Sequence, residues 1–305
     1  MEENPMQHDF DTIIIGGSFA GMSAALQLAR ARQKILVLDD NVRRNRFARH
    51  SHGFLGQDGT SPDDIIASSR AQLLKYPTLS WENTLAQSAE RAERMFKVTT
   101  ETGQSVVSRT LILATGVTDT LPDVPGLAER WGDHVFHCPY CHGYEFNQQP
   151  LGVLASSELA MHQALMLPDW GPTTLFLNNA FEPNDIQLAQ LHRRKVTLEH
   201  TPIAEITGDQ ATVHLTDGRN IPLAGLLIQP RTKISSPLAS QLGCAFADGP
   251  LGPYLQTDAM LETTIPGVFA CGDAMIAAGS VGLAVGNGIK AGTAAHHCLI
   301  FWDDA

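Results

Sequence analysis

The sequence predicts an α/β chain of two similarly built domains, and three observations carry that expectation. Residues 10–15 read Phe-Asp-Thr-Ile-Ile-Ile, a short apolar strand, and run straight into Gly16-Gly17-Ser18-Phe19-Ala20-Gly21 and an Ala- and Leu-rich helical stretch over 22–32. A second strand over 34–38 ends in Asp39-Asp40, which completes the order strand, glycine turn, helix, strand, acid. The third observation is an internal repeat. Ile13-Ile14-Ile15-Gly16-Gly17-Ser18-Phe19-Ala20-Gly21-Met22 aligns with Gly152-Val153-Leu154-Ala155-Ser156-Ser157-Glu158-Leu159-Ala160-Met161, and Ala25-Leu26 falls on Ala164-Leu165. Two copies of one βαβ unit predict two Rossmann-like dinucleotide-binding domains.

The remaining elements follow in order. Ser61-Pro62-Asp63-Asp64 starts a helix, with a Ser cap, Pro at the first helical position and an acid three residues after the cap. Residues 95–100 and 105–107 read as a hairpin about Thr102-Gly103, and 110–114 as a further strand closed by Thr115-Gly116. Leu121-Pro122-Asp123-Val124-Pro125-Gly126 is a helix-free connector and a domain boundary. Strands over 151–155 and 173–177 enclose a helix over 158–167; strand-like segments follow at 195–199, 212–215 and 223–228, and a Gly- and Ala-rich helix over 281–298 ends the chain.

Composition narrows the function. A chain of 305 residues supports one large or two medium domains, each with a core. Its formal charge of −11 argues against binding nucleic acid or an anionic membrane, which needs concentrated positive charge. The densest basic stretch, Arg43-Arg44-Asn45-Arg46, is too short for such a patch. No apolar run approaches the ~20 residues of a membrane span. The first ten residues lack the sections of an export signal, so a cytoplasmic location is expected. In that compartment the five cysteines are not a structural framework. Cys244, Cys271 and Cys298 are scattered and read as buried, inert thiols.

The first glycine turn is suited to a dinucleotide. Gly16 permits the tight turn, Gly21 lets the helix lie close on the strand, and the helix N-terminus faces the pyrophosphate. Ser18 stands where a second glycine is usual, and Asp39, about 20 residues on, is placed for ribose hydroxyls. Pro266-Gly267-Val268-Phe269-Ala270-Cys271-Gly272-Asp273 resembles the second FAD fingerprint of flavoproteins with two dinucleotide domains, and Ala114-Thr115-Gly116 resembles the short motif near the same cofactor. The resemblance implies FAD held by Gly16, Gly17, Ser18, Ala20, Gly21, Asp39, Arg46, Ala114, Thr115, Gly116, Gly272 and Asp273.

The chemistry centres on His137-Cys138-Pro139-Tyr140-Cys141-His142-Gly143-Tyr144-Glu145. A Cys-x-x-Cys pair can cycle between dithiol and disulfide while flanking imidazoles move protons. The same residues also admit three other readings: a c-type haem attachment, a zinc site using His137, Cys138, Cys141 and His142, or a structural disulfide. The first needs export, the second crowds four ligands into six residues, and the third suits an oxidising compartment.

The order of FAD turn, Ala-Thr-Gly, Cys-x-x-Cys and terminal Gly-Asp is similar to the low-molecular-weight thioredoxin reductase family over nearly the whole chain. That resemblance implies a discontinuous FAD domain over 1–118 and 248–305, with an NAD(P)H-binding-like domain over 119–247 inserted between them. It also implies that Cys141 faces the flavin, that Cys138 exchanges with substrate, and that the enzyme is a homodimer.

The second nucleotide unit departs from the pattern. Gly16 becomes Ala155, Gly21 becomes Ala160, Ser157 leaves no glycine gap, and Glu158 places a carboxylate in the first helical turn against the phosphate. Asn178-Asn179-Ala180-Phe181-Glu182 stands where a basic cluster for a 2′-phosphate is expected, and His192-Arg193-Arg194 reads as solvated charge near a helix end. NADPH binding is therefore expected to be weak or absent. His142 replaces an acid of the reductases, and the Cys-Pro-Tyr-Cys-His-Gly-Tyr-Glu run resembles the FAD-dependent dithiol oxidases of gliotoxin, holomycin and romidepsin. In such an enzyme a substrate dithiol reduces the pair, His142 is the base, and oxygen or another acceptor takes the electrons. His137 stays open between second base and loop residue, and His50-Ser51-His52-Gly53-Phe54-Leu55-Gly56 between lid and surface loop. The expected partner is a small-molecule dithiol or a thioredoxin-like protein. Reduction of thioredoxin-like proteins by NADPH or ferredoxin, and a non-catalytic FAD-bound redox sensor, are the competing readings.

Overall fold

The computed structural model describes residues 8–276 and 279–302. Residues 1–7, on which the lack of an export signal was argued, lie outside the described residues, as do 277–278 and the last three residues. Two compact units form. The first contains the chain up to Arg44, Asp63–Thr118 and the chain from Thr232; the second contains Asn45–Pro62 and Asp119–Arg231.

In the first unit, parallel strands stand in the order Leu79–Asn83, Ile35–Asp39, Phe10–Ile15 and Ser105–Leu113. The last of these is one long strand where the sequence suggested two. Its first half pairs antiparallel with Met95–Thr100, which pairs with Ala86–Ala92; its second half pairs in parallel with Val268–Ala270. Alternation along Phe10–Ile15 buries both sheet faces. Ile14 joins Ala24, Ala25, Leu28 and Ala295 of the helices Phe19–Arg30 and Val281–Ile300 on one side, while Ile13 and Ile15 join Phe96 and Leu238 on the other. The two helices lie unusually close: a Cβ on Gly288 would meet the Ala20 carbonyl oxygen at 2.1 Å, and one on Gly292 the Ala24 oxygen at 2.6 Å.

The second unit repeats the plan with parallel strands in the order Thr197–Glu199, Thr173–Phe176, Leu151–Leu154, Gly225–Leu227 and Val135–Phe136. A three-stranded antiparallel sheet accompanies it, formed by Ile203–Thr207, Thr212–Leu215 and Asn220–Ile221.

Two segments pack otherwise than the domain bounds read from sequence. Residues 232–247 go with the first unit: Leu238, Ala239, Leu242 and Cys244 enter its core, and Gln241 Oε1 accepts from the Ala89 N–H at 2.9 Å. Residues 45–62 go with the second unit, where Gly132 meets Phe47 so closely that a Cβ would lie 2.4 Å from the Phe47 Cβ. Both segments are short in regular structure, so neither announces its partner by periodicity.

Candidate functional site

In the first unit the sequence-expected residues gather at the carboxyl ends of the parallel strands, where open α/β sheets bind ligands. Gly16 has φ +100°, and a Cβ there would meet the Ala114 carbonyl oxygen at 2.4 Å. Gly17 donates its N–H to Asp39 Oδ1 at 3.0 Å, which leaves the second carboxylate oxygen for a ribose hydroxyl. Gly21 abuts the Gly16 carbonyl, 1.8 Å from an added Cβ, so the helix begins hard against the strand. Ser18 is the N-cap, yet its side chain does not cap, and no acid lies in the first turn. That leaves the positive end of the helix open to an anion. Gly272, with φ +71°, sits 3.0 Å from the Ala20 Cβ in the same measure, which brings the terminal Gly-Asp against the glycine turn; Gly116 is also left-handed, at φ +63°. Asp273 pairs with Arg44 at 2.8 Å, both side chains largely covered. The sequence pattern did not single out Arg44; it pointed to Arg46, which is exposed and stacks over the Phe47 ring at 4.3 Å. These residues fit a dinucleotide with a ribityl chain, and Arg44 adds a cation beside Asp273.

In the second unit Cys138 and Cys141 are joined as a disulfide with a Cα–Cα distance of 5.3 Å. Cys138 is the extended N-cap of the single turn Pro139–His142; Pro139 sets the first helical position, and the Cys141 N–H reaches the Cys138 carbonyl at 3.1 Å. The turn is pressed against Trp170: a Cβ on Gly143 would lie 2.5 Å from its Cδ1, and Tyr140 meets its ring edge-on at 5.2 Å. Tyr140 and Tyr144 are exposed beside the disulfide.

His142 follows Cys141 directly. Both its ring nitrogens are buried and have no hydrogen-bond partner. Burial holds its pKa below the ordinary histidine value, and the nearby Cys138 backbone and the Glu145 charge only partly oppose this. The lowered pKa favours the neutral imidazole, a form able to accept a proton. The Phe136 ring, 5.8 Å away, supplies part of the apolar wall. His137 points elsewhere, to the Trp131 ring at 5.6 Å.

The remaining thiols are set up for inertness: burial pushes Cys271 up to about 12 and raises Cys244 and Cys298. Among the described residues no three His, Cys, Asp or Glu side chains cluster as a metal site.

The second nucleotide turn corrects one expectation. The helix starts at Ala160 with Leu159 as N-cap, so Glu158 precedes it and does not sit in its first turn. Its carboxylate accepts from Gln187 Nε2 at 2.6 Å, in the capping box of the helix Asp185–Arg193. Asn178 and Asn179 are left-handed at φ +48° and +60°, and Asn178 Oδ1 accepts from the Ile203 N–H at 3.0 Å. Arg194 is bound to the Leu165 carbonyl and Asp169, and Arg219 to Glu199 and Asp217. These side chains are committed to the fold.

The family model described as pyridine nucleotide-disulphide oxidoreductase matches residues 10–297. The chain belongs to that family. The chain is 33% identical over 311 residues to thioredoxin reductase sirT of Leptosphaeria maculans, covering 95% of this chain and 94% of that one. Among solved structures, an oxidoreductase from Agrobacterium tumefaciens superposes with a TM-score of 0.94 at 54% identity, covering 96% of this chain and 99% of that chain. HlmI superposes at 0.90 with 32% identity, covering 99% and 96%. The fold is the thioredoxin reductase-like FAD/NAD(P)-binding fold, and the enzyme is a flavin-dependent disulfide oxidoreductase. A flavin and a pyridine nucleotide are the cofactors the family implies.

Proposed function

We propose that this enzyme is an FAD-dependent dithiol oxidase that closes a disulfide in a small molecule or a protein. The carrying observation is His142: a buried, unpartnered imidazole held neutral beside the disulfide it would serve. One substrate thiol gives its proton to His142, and the resulting thiolate attacks Cys138 Sγ. The Cys138–Cys141 bond breaks, and Cys141 leaves as a thiolate. The second substrate thiol, deprotonated in turn, attacks the sulfur bound to Cys138, so the substrate disulfide closes and Cys138 is released. The substrate has then lost two protons and two electrons. FAD supplies the sink for those electrons, and oxygen or another acceptor takes them onward.

Gly16, Gly17, Ser18, Ala20, Gly21, Asp39, Arg46, Ala114, Thr115, Gly116, Gly272 and Asp273 hold the FAD in this reading, with Cys141 the thiolate that serves it. Pyridine nucleotide is not the donor. Ala155, Ser157 and Ala160 replace the phosphate-binding glycines, and Asn178 is occupied by backbone where a 2′-phosphate needs cations. A cytoplasmic homodimer completes the proposal. Among the described residues no helix is long and apolar enough to cross a membrane.

The name of the sirT relative favours a second reading, reduction of a thioredoxin-like protein. Anaerobic spectroscopy separates the two. A dithiol is expected to bleach the yellow flavin, with air restoring the colour and releasing peroxide, while NADPH leaves it yellow. Fast bleaching by NADPH overturns the oxidase reading. Cys141→Ser is expected to keep FAD and lose bleaching by dithiols; unchanged bleaching contradicts its role.

A further inference from the structure

Gly17, unlike Gly16, is not left-handed, so space rather than backbone conformation keeps it without a side chain. A Cβ there would lie 2.4 and 2.5 Å from Cζ2 and Cη2 of Trp81, and 2.7 Å from the Asp39 Cγ. The edge of the indole therefore fills the place a side chain would take, against the same backbone whose N–H is given to Asp39. Trp81 reaches that place because its strand, Leu79–Asn83, runs parallel to Ile35–Asp39, with Trp81 opposite Val37 and Asn83 opposite Asp39. Alternation puts Trp81 and Asn83 on one face of the sheet, the face on which Trp81 packs with Val37 and Ala25.

Three contacts lock this group. The Arg70 guanidinium, from the helix Pro62–Leu73, lies over the indole with its Cζ 4.4 Å from the ring centre. Arg70 Nη2 donates to Asn83 Oδ1 at 2.8 Å, and Trp81 Nε1 donates to the same oxygen at 3.1 Å. An amide oxygen only accepts and an amide nitrogen only donates, so two donors on one atom settle which way the Asn83 amide faces. Its Nδ2 protons are turned to the other side, and among the described residues no acceptor takes them. Asn83 thus offers a fixed donor at the carboxyl end of its strand, one strand over from the fixed acceptor Asp39. Open α/β sheets bind their ligands at that end.

A donor beside an acceptor is the complement of an adenosine, whose ring nitrogens accept hydrogen bonds and whose ribose hydroxyls donate them. FAD carries that group and FMN lacks it. We propose that Asn83, held by Trp81 and Arg70, sets the preference of this protein for FAD over FMN. Asn83 Nδ2 donates to a ring nitrogen of the adenine while Asp39 accepts from the ribose. Trp81 and Arg70 are positioning residues: they hold the amide, and the indole edge keeps the Gly17–Asp39 pair in place. The proposal rests on the reading in which the glycine turn and Asp39 hold FAD, and it adds the residues that choose between the two flavin nucleotides.

The test titrates the full-length chain, stripped of flavin, with FAD and separately with FMN, reading Kd from the quenching of flavin fluorescence and Tm alongside. Asn83→Asp is the informative variant, because its carboxylate still accepts from Trp81 and Arg70 and only the Nδ2 donor is lost. It is expected to raise the Kd for FAD by about 3- to 10-fold, the range of one hydrogen bond, while the Kd for FMN stays within about twofold. Trp81→Leu is expected to weaken FAD at least as much and to spare FMN. The double variant is expected to be no weaker than Trp81→Leu alone, because Trp81 acts through Asn83. An Asn83→Asp protein with wild-type affinity for FAD overturns the proposal, since a staple between helix and strand would behave so. Equal weakening of FAD and FMN also overturns it, because the added charge or a disturbed fold acts on both nucleotides. An additive double variant overturns it as well. If wild type binds FAD no more tightly than FMN, the assignment of Asp39 to a ribose falls first and the selection by Asn83 falls with it.

Discussion

Gly21→Ala puts the dinucleotide turn to a quantitative test. The added Cβ would lie 1.8 Å from the Gly16 carbonyl oxygen, whereas ordinary contact begins at 3.4 Å. Strand and helix must therefore part by about 1.6 Å, and backbone atoms on both sides leave no flexible side chain to yield. A shift of that size takes an amide at the helix N-terminus from the usual ~2.9 Å of a hydrogen bond to beyond 3.5 Å. Each such bond to a charged group is worth about 1.5–3 kcal/mol, so FAD affinity should fall about 10- to 150-fold. Overpacking costs a further ~1–3 kcal/mol of stability in the same variant. The assay is titration of apoprotein with FAD by quenching of flavin fluorescence, with Tm recorded with and without FAD. Gly286→Ala is the control: nothing lies within 4 Å of its Cβ, and the change favours the helix Val281–Ile300, so Kd should hold and Tm should not fall. A folded Gly21→Ala protein whose FAD Kd stays within about twofold of wild type (under ~0.4 kcal/mol) would refute the reasoning.

Four further outcomes are expected. Since burial lowers the His142 pKa, the acid limb of dithiol oxidation should lie below the ordinary histidine value of 6.5, and His142→Asn should lower the rate by about 100-fold or more; a limb above 6.5 in wild type contradicts this. The same shift has a stability sign: as pH falls below 6.5 the unfolded chain takes up the proton and the folded one resists it, so wild type loses stability there and His142→Asn, followed by Tm against pH, loses less. Glu199, held down to about 2 by the Arg219 guanidinium, contributes stability that is fully present above 4.5 and lost as pH falls from 4.5 towards 2. Glu199→Gln should then lower Tm by about 2 °C at neutral pH, with the difference closing towards pH 2 and shrinking in high salt. Gly143→Ala should loosen the disulfide turn, because its Cβ would collide with Trp170 Cδ1 at 2.5 Å and with the Pro139 carbonyl at 2.6 Å. It should depress thiol exchange by about tenfold or more while leaving FAD affinity unchanged, and equal loss of both would contradict it.

Much of the first unit was legible because its signals are local. The strand over 10–15, the glycine turn and Asp39 lie within one βαβ repeat, and the Gly17 N–H donates to Asp39 at the end of the second strand. Legibility failed where a residue's partner is distant in sequence. Glu158 looked like a helix-turn acid, but its carboxylate is taken by Gln187 of the next helix. Arg44 stands in the same run of arginines as Arg46, and its pairing with Asp273, 229 positions away, is set only by the fold. The polar strands Leu79–Asn83 and Ala86–Ala92 escaped notice because their alternation is weak and each is held by a neighbouring strand.

By itself the sequence determined the two-fold α/β plan, the flavin motifs and the redox pair, since glycine spacing, strand periodicity and a Cys-x-x-Cys turn are properties of short contiguous stretches. Tertiary structure alone decided the state of His142 and the company it keeps. Desolvation depends on the walls that other segments build around a ring, and the loop bearing His52 comes from far earlier in the chain to stand beside Glu145. A proton's affinity is set by that surrounding medium, which no local pattern of residues encodes.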